Sequence, residues 1–139
     1  MVKNPEKIPP EVEQRLYQEQ AIWLTTVRAD GTPLPTPVAF LWDGETVLIY
    51  TTPNSLKLRN IEKNPHAALN LNSDRWGRNA VVLIGTIRQD RAIPPVIQNP
   101  AYLEKYRASI GAGLQITPES FSQKFSVPLR FTPERIRAF

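Results

Sequence analysis

Residues 22–52, Ile22-Trp23-Leu24-Thr25-Thr26-Val27-Arg28-Ala29-Asp30-Gly31-Thr32-Pro33-Leu34-Pro35-Thr36-Pro37-Val38-Ala39-Phe40-Leu41-Trp42-Asp43-Gly44-Glu45-Thr46-Val47-Leu48-Ile49-Tyr50-Thr51-Thr52, decide the fold. The opening six are β-branched, aromatic or leucine, the composition of a strand. Asp30-Gly31 and Asp43-Gly44 carry the chemistry of tight hairpin turns. The reading predicts strands over 22–27, 34–42 and 46–52, joined as an antiparallel meander.

Working outward, residues 11–20 have the spacing of a short opening helix, with Val12, Leu16 and Tyr17 on one face. Residues 55–64 repeat that spacing with Leu58 and Ile61, and Pro65 stops the helix. Strands follow over 67–72 and 80–88, separated by the polar stretch 73–79, and residues 92–95 are irregular because of Pro94 and Pro95. Asn99-Pro100 is a cap-plus-first-position signature for a helix to residue 110, closed by Gly111. Thr117-Pro118-Glu119 opens another helix that ends near residue 124, and strands over 127–132 and 136–139 complete the sheet. The expectation is a mostly β (α+β) protein: six to seven antiparallel strands that remove their edges by closing into a barrel, with a few short helices.

Composition agrees. The 139 residues fit one compact domain over 1–139, 41% hydrophobic and 22% charged. Fourteen prolines, about twice the usual ~5% share, count against a helical bundle. The absence of cysteine excludes a disulfide framework, a zinc finger and a thiol nucleophile, and fits a reducing cytoplasm. A net charge of +4 suits an anionic ligand but not the dense stripe of a nucleic-acid binder. No apolar run approaches the ~20 residues of a membrane span, and residues 1–7 lack the apolar core of a signal peptide. The reading is a soluble, cytoplasmic protein without membrane or nucleic-acid partners.

Two local anomalies call for a partner. Pro33, Pro35 and Pro37 remove three donors from one side of a strand, so only Leu34 and Thr36 can donate, both toward the opposite neighbour. The open edge is left to solvent, a ligand or another subunit, or is blunted against aggregation. The second anomaly is Thr51-Thr52-Pro53-Asn54-Ser55, which leads into a helix with Lys57 in its first turn. A lysine there opposes the helix dipole by ~0.3–1 kcal/mol. It is either a solvated surface lysine or part of an anion site. In the second case free N–H groups, the hydroxyls of Thr51, Thr52 and Ser55, and the Lys57 ammonium converge on one phosphate.

Other chemistry is sparse. His66, the sole histidine, has neither a triad nor a second histidine for a metal, and no metal site is expected. Gly111-Ala112-Gly113 follows a helix instead of a strand and is no dinucleotide fingerprint. Trp76, among arginines in the 73–78 loop, either stacks on a ring system, covers a dimer interface or folds back over the barrel mouth. No nucleophile–base pair is present, so any hard chemistry belongs to a bound cofactor. Tyr50 is the one phenol near the anion site, and no catalytic residue is assigned.

The ordered set Leu24 to Pro33, Thr36-Pro37-Val38-Ala39-Phe40, Leu48-Ile49-Tyr50-Thr51 and Lys57-Leu58-Arg59-Asn60-Ile61-Glu62-Lys63-Asn64-Pro65 resembles the pyridoxamine 5′-phosphate oxidase-like, FMN-binding split β-barrel superfamily. Within it the chain is most similar to the small group of deazaflavin (coenzyme F420)-dependent enzymes, a likeness that extends to Tyr102-Leu103-Glu104-Lys105-Tyr106 and Thr117 to Arg130. The resemblance implies a homodimer of split barrels with cofactor sites at the interface. It implies that Thr51, Thr52, Ser55 and Lys57 hold the phosphate of FMN or F420 with Asn60 in support, while Thr36, Pro37 and Val38 lie along the ring. Tyr50 and Trp76 join the expected cofactor set. The implied activity is an oxidoreductase that moves a hydride to or from a small conjugated substrate; the alternative is a non-catalytic flavin or haem carrier or sensor. Arg135 and Arg137 have no histidine nearby, so the arginine–histidine pattern of true pyridoxamine phosphate oxidases is missing. Arg59, Arg75 and Arg78 suit the acidic tail of F420.

Overall fold

A computed structural model describes residues 8–110 and 116–139; the predicted helix stop at Gly111, the Gly111-Ala112-Gly113 stretch and residues 1–7 lie outside them. In chain order the elements are α1 (Pro10–Gln18), β1 (Ile22–Val27), β2 (Pro33–Val38), β3 (Leu41–Trp42), β4 (Val47–Thr51), α2 (Leu56–Lys63), β5 (His66–Leu71), β6 (Val81–Gln89), a 3₁₀ turn (Val96–Gln98), α3 (Pro100–Ala108), α4 (Pro118–Lys124) and β7 (Val127–Ala138). The strands form one antiparallel sheet in the order β2-β1-β5-β6-β7-β4-β3. β2 and β3 are its opposite edges, yet only Ala39 and Phe40 separate them in the chain. Three Cα steps span at most about 11 Å, so the sheet must curl until its edges nearly meet. The result is the expected mostly β barrel, split along the seam between β2 and β3.

The predicted meander is corrected in two places. Residues 34–42 are not one strand: the chain leaves the sheet at Ala39-Phe40, and its halves pair with β1 and with β4 on opposite edges. The third predicted strand therefore lies beside β7 and β3 and never beside β2. At the other end, the two predicted strands of residues 127–132 and 136–139 are one. β7 runs through Pro133 and Glu134 with a bulge opposite Ile84 and Gly85. Gly85 makes this close approach possible, because a Cβ there would lie 2.0 Å from the Thr132 carbonyl oxygen. The hairpin turns are as read: Gly31 and Gly44 take φ of +89° and +100°, and Asp30 and Asp43 accept the N–H groups that close the turns.

Alternation along the strands divides the side chains between two cores. Inside the barrel lie Ile22, Leu24, Val47, Ile49, Leu69, Leu83, Leu129 and Phe131, closed off by Val12 and Leu16 of α1 and by Leu58 and Ile61 of α2. On the outer face of β4, Leu48 and Tyr50 pack under a helical layer built from Val96, Tyr102, Tyr106, Ile110 and Phe121. Tyr102 stands edge-on to Tyr50 at 4.9 Å and lies 4.8 Å from Tyr106. Arg130 ties this side together, donating to Asp90 at 2.7 Å and to Asp43 at 3.1 Å.

Candidate functional site

The N-terminus of α2 gathers most of the expected anion ligands. Ser55 is its cap: the hydroxyl accepts from the Leu58 N–H at 3.2 Å and bonds the Thr51 hydroxyl at 3.0 Å. Two hydroxyls carry two protons, and one suffices for the bond between them, so one remains to donate elsewhere. The Leu56 and Lys57 N–H groups have no acceptor among the described residues. There is no acidic residue in this first turn, and Lys57 makes no ion pair among the described residues. Lys57 is half-buried, and burial lowers its basicity. A half-buried ammonium, two amides and one hydroxyl proton, without acceptors among the described residues, form the kind of donor set a phosphate takes.

The other expected residues are distributed around this point. Thr51 is buried at the end of β4 and Thr52, half-buried, follows it. Asn60, one turn into α2, is buried and donates to the Thr26 hydroxyl of β1 at 3.1 Å, so it docks the helix on the barrel. Thr26 pairs across the sheet with Leu34, which connects α2 through β1 to the edge strand. β2 is paired on one side only, and Pro33, Pro35 and Pro37 lie opposite Val27, Thr25 and Trp23. Alternation sends Thr36 and Val38 toward the barrel interior and Pro37 outward.

Tyr50 and Trp76 lie apart from the helix start. The Tyr50 ring is on the helical-layer face of β4, opposite to Thr51; its hydroxyl donates to the Pro94 carbonyl at 2.5 Å and accepts from Asn99 at 3.0 Å. Burial raises its pKa. Trp76 is 70% exposed at the tip of the β5–β6 hairpin, so it does not fold back over the barrel; the Arg75 guanidinium lies 5.3 Å from its ring. Register puts that tip at the Ala138 end of β7, whereas Thr51 pairs at the Val127 end. Within one chain, therefore, Trp76 and Lys57 are at opposite ends of the sheet.

The sequence reading missed Lys105 and Tyr106, which reach from α3 to the seam. Tyr106 accepts the Phe40 N–H at 2.8 Å, and Lys105 donates to the Phe40 carbonyl at 2.8 Å with its ammonium 3.7 Å from the Phe40 ring. The available signal was a lysine set between tyrosines on a helix with little polar–apolar division.

Comparison with known proteins agrees with this architecture. The pyridoxamine 5′-phosphate oxidase family profile matches residues 8–138. Among solved structures, an F420 reductase is 24% identical with a TM-score of 0.70, over 94% of this chain and 98% of that one. A Clostridium acetobutylicum protein related to general stress protein 26, of the pyridoxine phosphate oxidase family, is 17% identical with a TM-score of 0.66, over 93% of this chain and 85% of that one. HutZ, the heme storage protein of Vibrio cholerae, is 16% identical with a TM-score of 0.65, over 93% and 92%. No curated protein sequence matches this chain.

Proposed function

Because the chain belongs to the pyridoxamine 5′-phosphate oxidase family, we propose that it binds a phosphorylated flavin or deazaflavin, FMN or coenzyme F420, and serves as an oxidoreductase on a small conjugated substrate. The observation that carries the proposal is Lys57: a half-buried ammonium in the first turn of a helix that lacks any first-turn acid, beside two amides without acceptors among the described residues. In the bound state Lys57, the spare hydroxyl proton of the Thr51–Ser55 pair and the Leu56 and Lys57 amides hold phosphate, with Thr52 at the rim. Asn60 fixes the helix that presents them. The edge formed by Thr36, Pro37 and Val38 lies along the ring. When bound, the ring supplies the hydride chemistry; the chain's own contribution is to bind, orient and shield it.

A homodimer would complete the site. The outward rows Pro37, Trp23, Asn70, Val82 and Pro35, Thr25, Ala68, Ile84 join neither core, and Ile84 is 38% exposed. A second copy seated on this face would cover it, and the partner's hairpin tip would bring Trp76 to the ring. Arg59, Arg75 and Arg78 would favour the acidic tail of F420 over FMN. Arg135 pairs with Ile84 and Arg137 with Val82, and no histidine stands near either in the sequence, so oxidation of pyridoxamine phosphate itself is not the proposed reaction. The working location is the cytoplasm; no helix of the described residues is long and apolar enough to cross a membrane.

The test is the absorption spectrum of the purified protein after gel filtration with FMN or F420, followed by turnover with a hydride donor. A retained flavin-like band with turnover supports the oxidoreductase. Retention without turnover favours a carrier on the same scaffold, the second reading, which the likeness to HutZ keeps open. A Soret band after haem addition identifies the haem form of that carrier. No retention of any of the three removes the proposal.

A further inference from the structure

The seam has an unusual proton inventory. At Phe40 the chain belongs to neither edge strand, so its buried N–H and carbonyl take their partners from α3. The Tyr106 oxygen accepts the Phe40 N–H and lies 2.8 Å from two carbonyl oxygens, those of Phe40 and Gln20. A phenol has a single proton and can serve only one of them at a time. Lys105 removes the conflict: its ammonium donates to the Phe40 carbonyl at 2.8 Å, which releases the Tyr106 proton for Gln20. Gln20 lies just before β1, and Val38 ends β2 two residues before Phe40. One lysine therefore completes the bonds that fix both strands of the edge hairpin relative to α3. Lys105 makes no ion pair among the described residues, and its half-buried ammonium rests on the Phe40 ring at 3.7 Å.

We propose that Lys105 is a positioning residue for the cofactor ring: by satisfying the Phe40 carbonyl it frees the Tyr106 proton for Gln20 and sets where the end of β2 lies. The inference rests on the reading of Thr36–Val38 as the ring-bearing edge, and it assigns Lys105 no contact with cofactor or substrate. Phosphate capture at Lys57 should be independent of it, because that grip is built on α2 and the end of β4.

The experiment uses the full chain, wild type and the variants Lys105→Met and Lys105→Arg, with FMN and F420 as probes. Amide hydrogen exchange at Phe40 reports the clamp, gel-filtration retention reports the phosphate grip, and iodide quenching of the bound ring's fluorescence reports ring placement. In Lys105→Met the Phe40 amide should exchange about tenfold faster, as the Phe40 and Gln20 carbonyls are left to compete for the single Tyr106 proton and the clamp loosens. Retention should stay within about threefold of wild type, while quenching of the ring rises and its absorption band shifts. Lys105→Arg, which keeps a donor, should restore the ring signals. Unchanged exchange in Lys105→Met overturns the clamp; faster exchange with unaltered ring signals overturns the positioning role alone. If Lys105→Met does not fold, wild type decides: a Phe40 amide that exchanges as fast as an exposed loop amide overturns the clamp. A wild type that retains neither probe overturns the positioning role together with the site it serves, whereas retention with a failed clamp leaves that site standing.

Discussion

Replacing Lys57 with alanine should do two opposite things. In the free protein the lysine is a cost: a positive charge in the first turn opposes the helix dipole by ~0.3–1 kcal/mol, and partial burial desolvates it, which lowers its pKa. Alanine removes both penalties and gains helix propensity, against some lost packing of the lysine stem. The apo variant should therefore be as stable as wild type or more so by up to about 1 kcal/mol, seen as a thermal midpoint equal or raised by a few degrees. With cofactor the sign reverses. A charge-assisted bond to phosphate contributes ~1.5–3 kcal/mol, so its loss should weaken FMN or F420 retention about 10- to 100-fold. Equilibrium dialysis measures the second effect and calorimetry of the apo protein the first. Retention equal to wild type, or an apo midpoint lowered by more than about 5 °C, would refute the reasoning: the first removes Lys57 from the site, the second makes it a structural residue.

Four further outcomes follow from the geometry. Burial holds the Lys105 ammonium down at about 8 and pushes the Tyr106 phenol up to about 12. Between about pH 8 and 10 the unfolded chain keeps a lysine proton that the folded chain has lost, so urea stability of the apo protein should rise; above about 10 unfolded tyrosines ionise while Tyr102 and Tyr106 do not, and it should fall. On the acid side, the Arg130 hydrogen bond holds Asp90 below its ordinary value and the Arg78 N–H does the same for Asp74, so stability should decline as pH drops through the range below about 3.8. A profile flat from neutral pH to 10 would contradict the burial of Lys105. Gly85→Ala should destabilise by about 3 kcal/mol in urea titration, since its Cβ would meet the Thr132 backbone oxygen at 2.0 Å and no side chain can yield; a loss within about 0.5 kcal/mol would place the bulge elsewhere. Tyr50→Phe should cost about 1–3 kcal/mol by leaving the Pro94 carbonyl and Asn99 amide without their partner. Retention of FMN should be unaltered, and a drop in retention would return the phenol to the cofactor site.

Local chemistry made much of this architecture legible. The limits of β1 follow from composition alone, and the Asn99 and Thr117 caps accept the N–H expected of them. The proposed anion site at the start of α2 rests on equally local signals, a first-turn lysine and the hydroxyls of Thr51, Thr52 and Ser55 within a few residues. What the sequence hid depends on distant partners. Phe40 is as good a strand residue as its neighbours, and it leaves the sheet because Lys105 and Tyr106, 65 and 66 residues away, take its backbone groups. Pro133 and Glu134 read as a strand end, and they continue only because Gly85 on the adjacent strand admits the bulge. Tyr50 adjoins Thr51 in sequence, and the pleat alone sends the two to opposite sides.

That consecutive strands occupy the two borders of the sheet bears on the order of assembly. The β1–β2 and β3–β4 hairpins are local ribbons, marginal by themselves, and each joins the rest of the sheet only at a remote seat. β1 waits for β5, and β4 waits for β7, whose Phe131 meets Val47. Closure of so long a loop is entropically slow, so refolding should pass late through the β4–β7 zipper, in the millisecond-to-second regime of non-local β topologies. During synthesis both segments would leave the ribosome well before β7, and the barrel would close only when that strand arrives.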